Sequence, residues 1–191
     1  MQVYRRIQNP YMPQGTPNLT NSPSYPPHIS TALTPFYAPG EIGCRFTDQN
    51  TGREYHRVIL DSGATSATPT GAVAANQLAF WKSRAAYLVT NDKRFAESGP
   101  TAAVNQVAGI FQVAATPGYV TDLCVAGIGV SVASDGAGTA GCYVFADTTA
   151  SVARVTASAT VATAPLSQPL GVLKTAGATA IVDVAIGEFM G

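Results

Sequence analysis

Eight of the thirteen prolines fall within the first forty residues: Pro10, Pro13, Pro17, Pro23, Pro26, Pro27, Pro35 and Pro39. No helix survives that density, because each proline removes a backbone donor and pushes the residue before it into extended geometry. A central strand is disfavoured as well, since every proline leaves a gap in the hydrogen-bond ladder. The spacing therefore predicts an extended arm over residues 1–40. Its side chains are not those of a plain spacer. Tyr4, Tyr11, Tyr25, Phe36 and Tyr37 are distributed along it, and Arg5 and Arg6 give it charge with no acid to match. A solvated linker has no use for aromatics. The expectation is an arm that docks on a partner through these seven residues.

From Gly40 onward the texture changes to short apolar runs separated by turn residues. Glu41–Phe46 and Glu54–Leu60, joined by Asp48-Gln49-Asn50-Thr51-Gly52, read as a hairpin. Residues 72–90 admit a helical face through Val73, Gln77, Phe80, Trp81 and Ala85. The β-favouring Phe80-Trp81 and Tyr87-Leu88-Val89-Thr90 make two short strands the better expectation. Further strands are expected at Gln106–Phe111, Tyr119–Val132, Cys142–Phe145, Val152–Ala157, Gly171–Lys174 and Ala180–Ile186, the last two as a hairpin around Ala176-Gly177. Strands bounded by turn signals at such short intervals predict a mainly β body, a β-sandwich or β-barrel, over residues 41–191.

Composition narrows the function classes. Charged residues are 12% of the chain, about half the usual share. Eleven Lys and Arg balance eleven Asp and Glu, so the basic footprint of a nucleic-acid binder is missing. Low charge with abundant Ala, Gly, Thr and Ser suits close-packed β structure and surfaces covered by a partner. Cys44, Cys124 and Cys142 are odd in number and far apart, and His28 and His56 stand alone, so neither a disulfide scaffold nor a zinc site is expected. The cysteines read as small buried hydrophobes. No apolar leader segment and no run of membrane-spanning length is present, and Asn18-Leu19-Thr20 is a formal glycosylation sequon without secretion signals beside it. No cofactor is expected.

Two motifs could carry chemistry. Ile59-Leu60-Asp61-Ser62-Gly63-Ala64-Thr65 resembles the active-site loop of retroviral-type aspartic proteases, which pair two such loops so that two carboxylates share a proton. Ala185-Ile186-Gly187 resembles the late element of those enzymes, but it lies too far from Asp61 for a compact subunit, and too few residues follow it for the closing helix and strand. A turn that ends a strand is the plainer account of Asp61-Ser62-Gly63. Gly136-x-Gly138-x-x-Gly141 matches a dinucleotide fingerprint in letters, yet Cys142–Phe145 follows as a strand where the fingerprint needs a helix, so a glycine-rich hairpin loop is expected. His56 is expected to face solvent or to be satisfied within a strand, and Trp81 to lie in core or interface. No catalytic residue is expected to follow from this pattern.

Several stretches together resemble the tailed-bacteriophage capsid decoration (cement) proteins. They are Arg45-Phe46-Thr47 with Gly52–Val58, Gln77–Lys82 leading to Tyr87–Asp92, Asn105–Phe111 with Thr116-Pro117-Gly118-Tyr119, and Pro169–Leu173 before the final apolar strand. They cover about residues 41–189, and the resemblance lies in their order and their Ala/Gly/Thr texture. It implies a non-enzymatic protein on the outer surface of a virion, bound to the major capsid protein of a phage head and assembled as a homo-oligomer, with a trimer favoured. It implies no membrane and no nucleic-acid partner. The arm has no counterpart in the resemblance, and its role is inferred from its own chemistry. An adhesin-like or fibre-base β module is the remaining non-enzymatic expectation.

Overall fold

The computed structural model describes residues 42–61, 73–97, 107–147, 154–159 and 169–186. The proline-rich segment 1–40, with its seven expected contact residues, lies outside them, as do Ser62 and Gly63.

The body is mainly β, with ten strands among the described residues joined in one hydrogen-bonded network. In chain order they are β1 Arg45–Thr47, β2 Glu54–Leu60, β3 Leu78–Ser83, β4 Leu88–Thr90, β5 Val107–Phe111, β6 Val120–Ala133, β7 Tyr143–Ala146, β8 Val155–Ser158, β9 Gly171–Thr175 and β10 Thr179–Ala185. A single 3-10 turn, Lys93–Phe95, follows β4, capped by the Asp92 side chain accepting from the Arg94 amide. The expected alternatives resolve in favour of a barrel. Strands β2, β4, β3, β5 and β6 are neighbours in that order, and β2 also pairs with β6, which closes the ring. The β2–β4 contact is parallel and the others are antiparallel.

The period-2 pattern selects the side chains that fill this barrel, except in β5, where the register with β3 shifts at Ala108 and the inward face changes from Ala108 to Phe111. Val58 and Leu60 of β2, Ala79 and Trp81 of β3, Val89 of β4, Ala108 and Phe111 of β5 and Leu123 of β6 form one buried cluster. A second sheet continues from the far half of β6 through β10, β9, β7 and β8. It curls back toward its own start: Ser134, just after β6, bridges Val155 of β8, and the Asp135 amide donates to the Val155 carbonyl at 3.0 Å. The 14-residue strand β6 thus belongs to both curved sheets. It changes partners near Gly127 and Gly129, where bulges interrupt its register with β10 and with β2. Gly129 has φ +64, a left-handed backbone that glycine adopts without a Cβ penalty. Arg53 secures the crossing, its guanidinium donating to the Gly129 carbonyl at 2.7 Å and to Gln112 Oε1 at 3.3 Å.

The larger core lies between the two parts. Tyr55, Leu78, Phe80, Ile110 and Cys124, on the outside of the closed barrel, pack with Val130, Val132, Val144, Leu173, Val182 and Val184 from the inner face of the second sheet. A polar pair is set into the same outer wall. Arg57 and Asp122 stand directly opposite each other on β2 and β6, and Arg57 Nε donates to Asp122 Oδ1 at 2.8 Å with both side chains 1% exposed. The Phe46 ring stacks on Tyr55 and lies 5.4 Å from the Arg57 guanidinium carbon.

Most expected strands are present, and three details differ. The first strand begins at Arg45 rather than Glu41, because Ile42 and Gly43 form a turn in which Gly43 has φ +86. The Gly136/Gly138/Gly141 segment is not a hairpin loop: it joins β6 to β7, which are not neighbours, since β10 and β9 lie between them. Of the strand expected at Val152–Ala157, the described part starts at Val155. The hairpin around Ala176-Gly177 is present as β9–β10.

Candidate functional site

A continuous row of side chains crosses the outer face of the second sheet. Tyr143 of β7 stands opposite Val172 of β9, and Val172 stands opposite Asp183 of β10, so all three point the same way. Asp183 Oδ1 accepts from the Gly129 amide at 3.1 Å, which carries the row onto β6 next to Ile128. The other faces of these strands, through Val144, Leu173 and Val182, are in the core. Alternation along each strand therefore commits Tyr143, Val172 and Asp183 to the surface.

The chemistry of the row is apolar with an internally neutralised centre. Tyr143 is 40% exposed, Val172 38% and Ile128 77%. Lys174, two residues along β9, places its ammonium 3.1 Å from Asp183 Oδ2. The Gly129 amide, and after it the Lys174 ammonium, hold the Asp183 carboxyl below the usual carboxylate range. The row thus presents an aromatic ring, two aliphatic side chains and one closed ion pair across four strands, roughly 15 Å at the usual strand spacing. Contiguous apolar exposure of this kind marks contact surfaces more often than single exposed residues do.

The motif residues sit elsewhere. Asp61 follows β2, its amide donating to the Val89 carbonyl at 2.8 Å. Its Oδ2 accepts from Lys82 Nζ of β3 at 2.7 Å. An acid dyad requires a second carboxylate to share a proton; here the observed partner is an ammonium group. His56 is buried, its Nε2 3.1 Å from the Gly43 carbonyl oxygen and its ring edge-on to Trp81. The ring is therefore held inside the fold through Nε2, and the solvent-facing alternative is not what the structure shows. Trp81 is in the barrel core.

The cysteines differ from one another. Cys124 and Cys142 are buried, as expected, whereas Cys44 is half-buried. Burial pushes the Cys124 thiol up to about 12, which keeps it protonated and unreactive. The Thr139 backbone and hydroxyl lower the Cys142 thiol. Among the described residues no group of three or more His, Cys, Asp or Glu side chains is arranged to hold a metal ion, and no helix is long and apolar enough to cross a membrane.

Sequence reasoning placed the contact residues in the arm and did not single out Tyr143, Val172 or Ile128. One signal was available: Ile128 stands between two glycines, and an isoleucine at such a bend has little to pack against. Tyr143 and Val172 lie in short runs that are apolar throughout, where composition does not tell the inner face from the outer. No family model, no curated protein and no solved structure matches the chain.

Proposed function

We propose that this chain is a structural virion protein: a capsid decoration protein that binds the outer surface of a phage head and stabilises the shell. The observation that carries the reading is the exposed row of Tyr143, Val172 and Ile128 on the outside of the second sheet, with the closed Asp183–Lys174 ion pair set into it. Such a row offers a partner apolar area with no unpaired charge to neutralise, and its strands are fixed from behind by the core. The order of sequence stretches shared in kind with cement proteins supports the same reading. In it, the row meets the major capsid protein or a neighbouring copy, and the arm of residues 1–40 extends the contact through Tyr4, Arg5, Arg6, Tyr11, Tyr25, Phe36 and Tyr37. A homo-oligomer, a trimer by preference, multiplies modest contacts into firm attachment. The Lys82–Asp61 ion pair favours this reading over the aspartic-protease alternative, because the ammonium occupies an oxygen that a proton-sharing dyad needs.

Co-sedimentation with assembled heads tests it. The full chain is expected to pellet with heads in a fixed ratio to the major shell protein. Tyr143→Asp combined with Val172→Asp should weaken that association at least tenfold while leaving the circular dichroism spectrum unchanged. Undiminished pelleting of the double variant would remove the row from the interface. Acid-pH peptide cleavage that disappears in Asp61→Asn would replace the reading with the protease.

A further inference from the structure

Two residues with left-handed backbone meet where the arm joins the body. Gly43 has φ +86, and Tyr87, the last residue of the turn from β3 into β4, has φ +51. A bulky aromatic in that region is strained and persists only where its surroundings hold it. Here they do. The Tyr87 carbonyl accepts from the Ile59 amide at 2.9 Å, and the Tyr87 amide donates to the Arg84 carbonyl at 3.0 Å, so the residue is tied to β2 and to its own turn.

The ring is pressed against Gly43. A Cβ on Gly43 would run into the outer end of the Tyr87 ring and would have to displace it, and the φ of +86 separately favours glycine there. The same ring stands edge-on to His56 at a centroid distance of 5.8 Å. His56 Nε2 faces the Gly43 carbonyl oxygen at 3.1 Å, and the Gly43 amide donates to the Arg57 carbonyl at 2.8 Å. The next carbonyl, of Cys44, accepts from the Arg57 amide at 3.0 Å. Among the described residues, the groups that grip Gly43 in this way belong to β2 and to the β3–β4 turn, both part of the closed barrel. Strand β1, only three residues long, is too short to fix the chain's direction alone.

We propose that Tyr87 is a clasp: its ring pins Gly43 to the barrel and so fixes the backbone at Ile42 and Gly43, the first described residues of the body. The strain at Tyr87 and the glycine at position 43 are two halves of that one contact. The use of the clasp rests on the reading of the arm as a binding element. A root held at Ile42 and Gly43 narrows the volume the arm searches and raises its effective concentration at a neighbouring surface. The clasp itself does not depend on that reading.

Nuclear magnetic resonance on the full chain tests it without any particle. In Tyr87→Ala, the Gly43 amide should exchange with solvent at least tenfold faster. Order parameters at Ile42 and Gly43 should fall from about 0.85 to below about 0.6, the range of flexible backbone. The Val58 and Leu123 amides of the barrel should keep their protection. Tyr87→Phe should behave as the native chain, because the contact uses the ring and not the hydroxyl. Gly43→Ala approaches the same contact from the other side and should displace the ring, read as loss of the His56–Tyr87 ring-current shift. Unchanged Gly43 exchange in Tyr87→Ala would overturn the proposal, as would Tyr87→Phe losing protection like Tyr87→Ala, or barrel amides loosening as much as Gly43. Failure to co-sediment with heads would sink the decoration reading and leave these measurements standing.

Discussion

Asp122 and Arg57 are 65 positions apart in the chain and touch through a buried charge-assisted hydrogen bond. With Asp122→Ala the guanidinium stays in the wall of the barrel without its counter-ion, and breaking such a pair costs about 3–5 kcal/mol. At the usual 2–4 °C per kcal/mol for a chain of this size, the thermal midpoint should fall by roughly 6–20 °C in a calorimetric scan. Replacing both partners by apolar residues of similar volume, Arg57→Met with Asp122→Leu, should recover most of the loss, since neither charge is then buried. A double variant no better than Asp122→Ala would mean that the two residues act separately. Nothing local in the sequence announces this pair. Arg57 and Asp122 each read as one polar residue inside an apolar strand, and only the closure of the barrel brings them opposite each other. The Lys82–Asp61 bond was equally illegible, because Asp61 attracted notice through its neighbours Ser62 and Gly63 rather than through β3.

The strands themselves were legible because each is short, β-branched or aromatic, and bounded by turn chemistry. Phe80-Trp81 and Leu88-Val89-Thr90 lie in strands rather than on a helical face, whereas Tyr87, expected to open the second strand, ends the tight Arg84–Tyr87 turn. Neighbours were not legible. The glycine-rich segment after β6 invites a hairpin, yet the β9–β10 hairpin, which follows later in the chain, fills the space between β6 and β7. Element packing also decides what one glycine does. Gly171 of β9 lies so close to the Asp183 carbonyl of β10 that a Cβ would collide with backbone. Gly171→Ala must push β9 away from β10, and overpacking of this kind typically costs about 1–3 kcal/mol. Urea unfolding should show the lower midpoint with an unchanged slope. A midpoint equal to the native one would show that β9 yields without cost.

At the scale of the whole molecule, two curved sheets share β6 and the larger core between them, while the barrel also has its own interior cluster. Trp81, the one tryptophan of the chain, reports on the closed barrel alone. Circular dichroism reports on all strands. Because Tyr55 and Phe80 of the barrel wall share the larger core with Val130 and Leu173 of the second sheet, opening either part exposes that shared core. The two signals should therefore give coincident denaturant transitions, the mark of an all-or-none process. Tryptophan fluorescence changing at lower denaturant than circular dichroism would show that the barrel opens by itself. The barrel-or-sandwich expectation came from the number of strands. That one strand serves two sheets depends on where β6 bends, and Gly127 and Gly129 alone do not say which partners lie on either side.

Strand β6 also has a mechanical meaning. It runs unbroken from one curved sheet into the other, with β2 and β5 gripping its first half and β10 its second. Tension applied across the body along that strand would be borne as shear by many ladder hydrogen bonds at once, rather than peeling them one at a time. A body built this way resists stretching along β6, and with Arg53 and Asp183 holding Gly129 at the bend the strand is the tie-rod of the molecule.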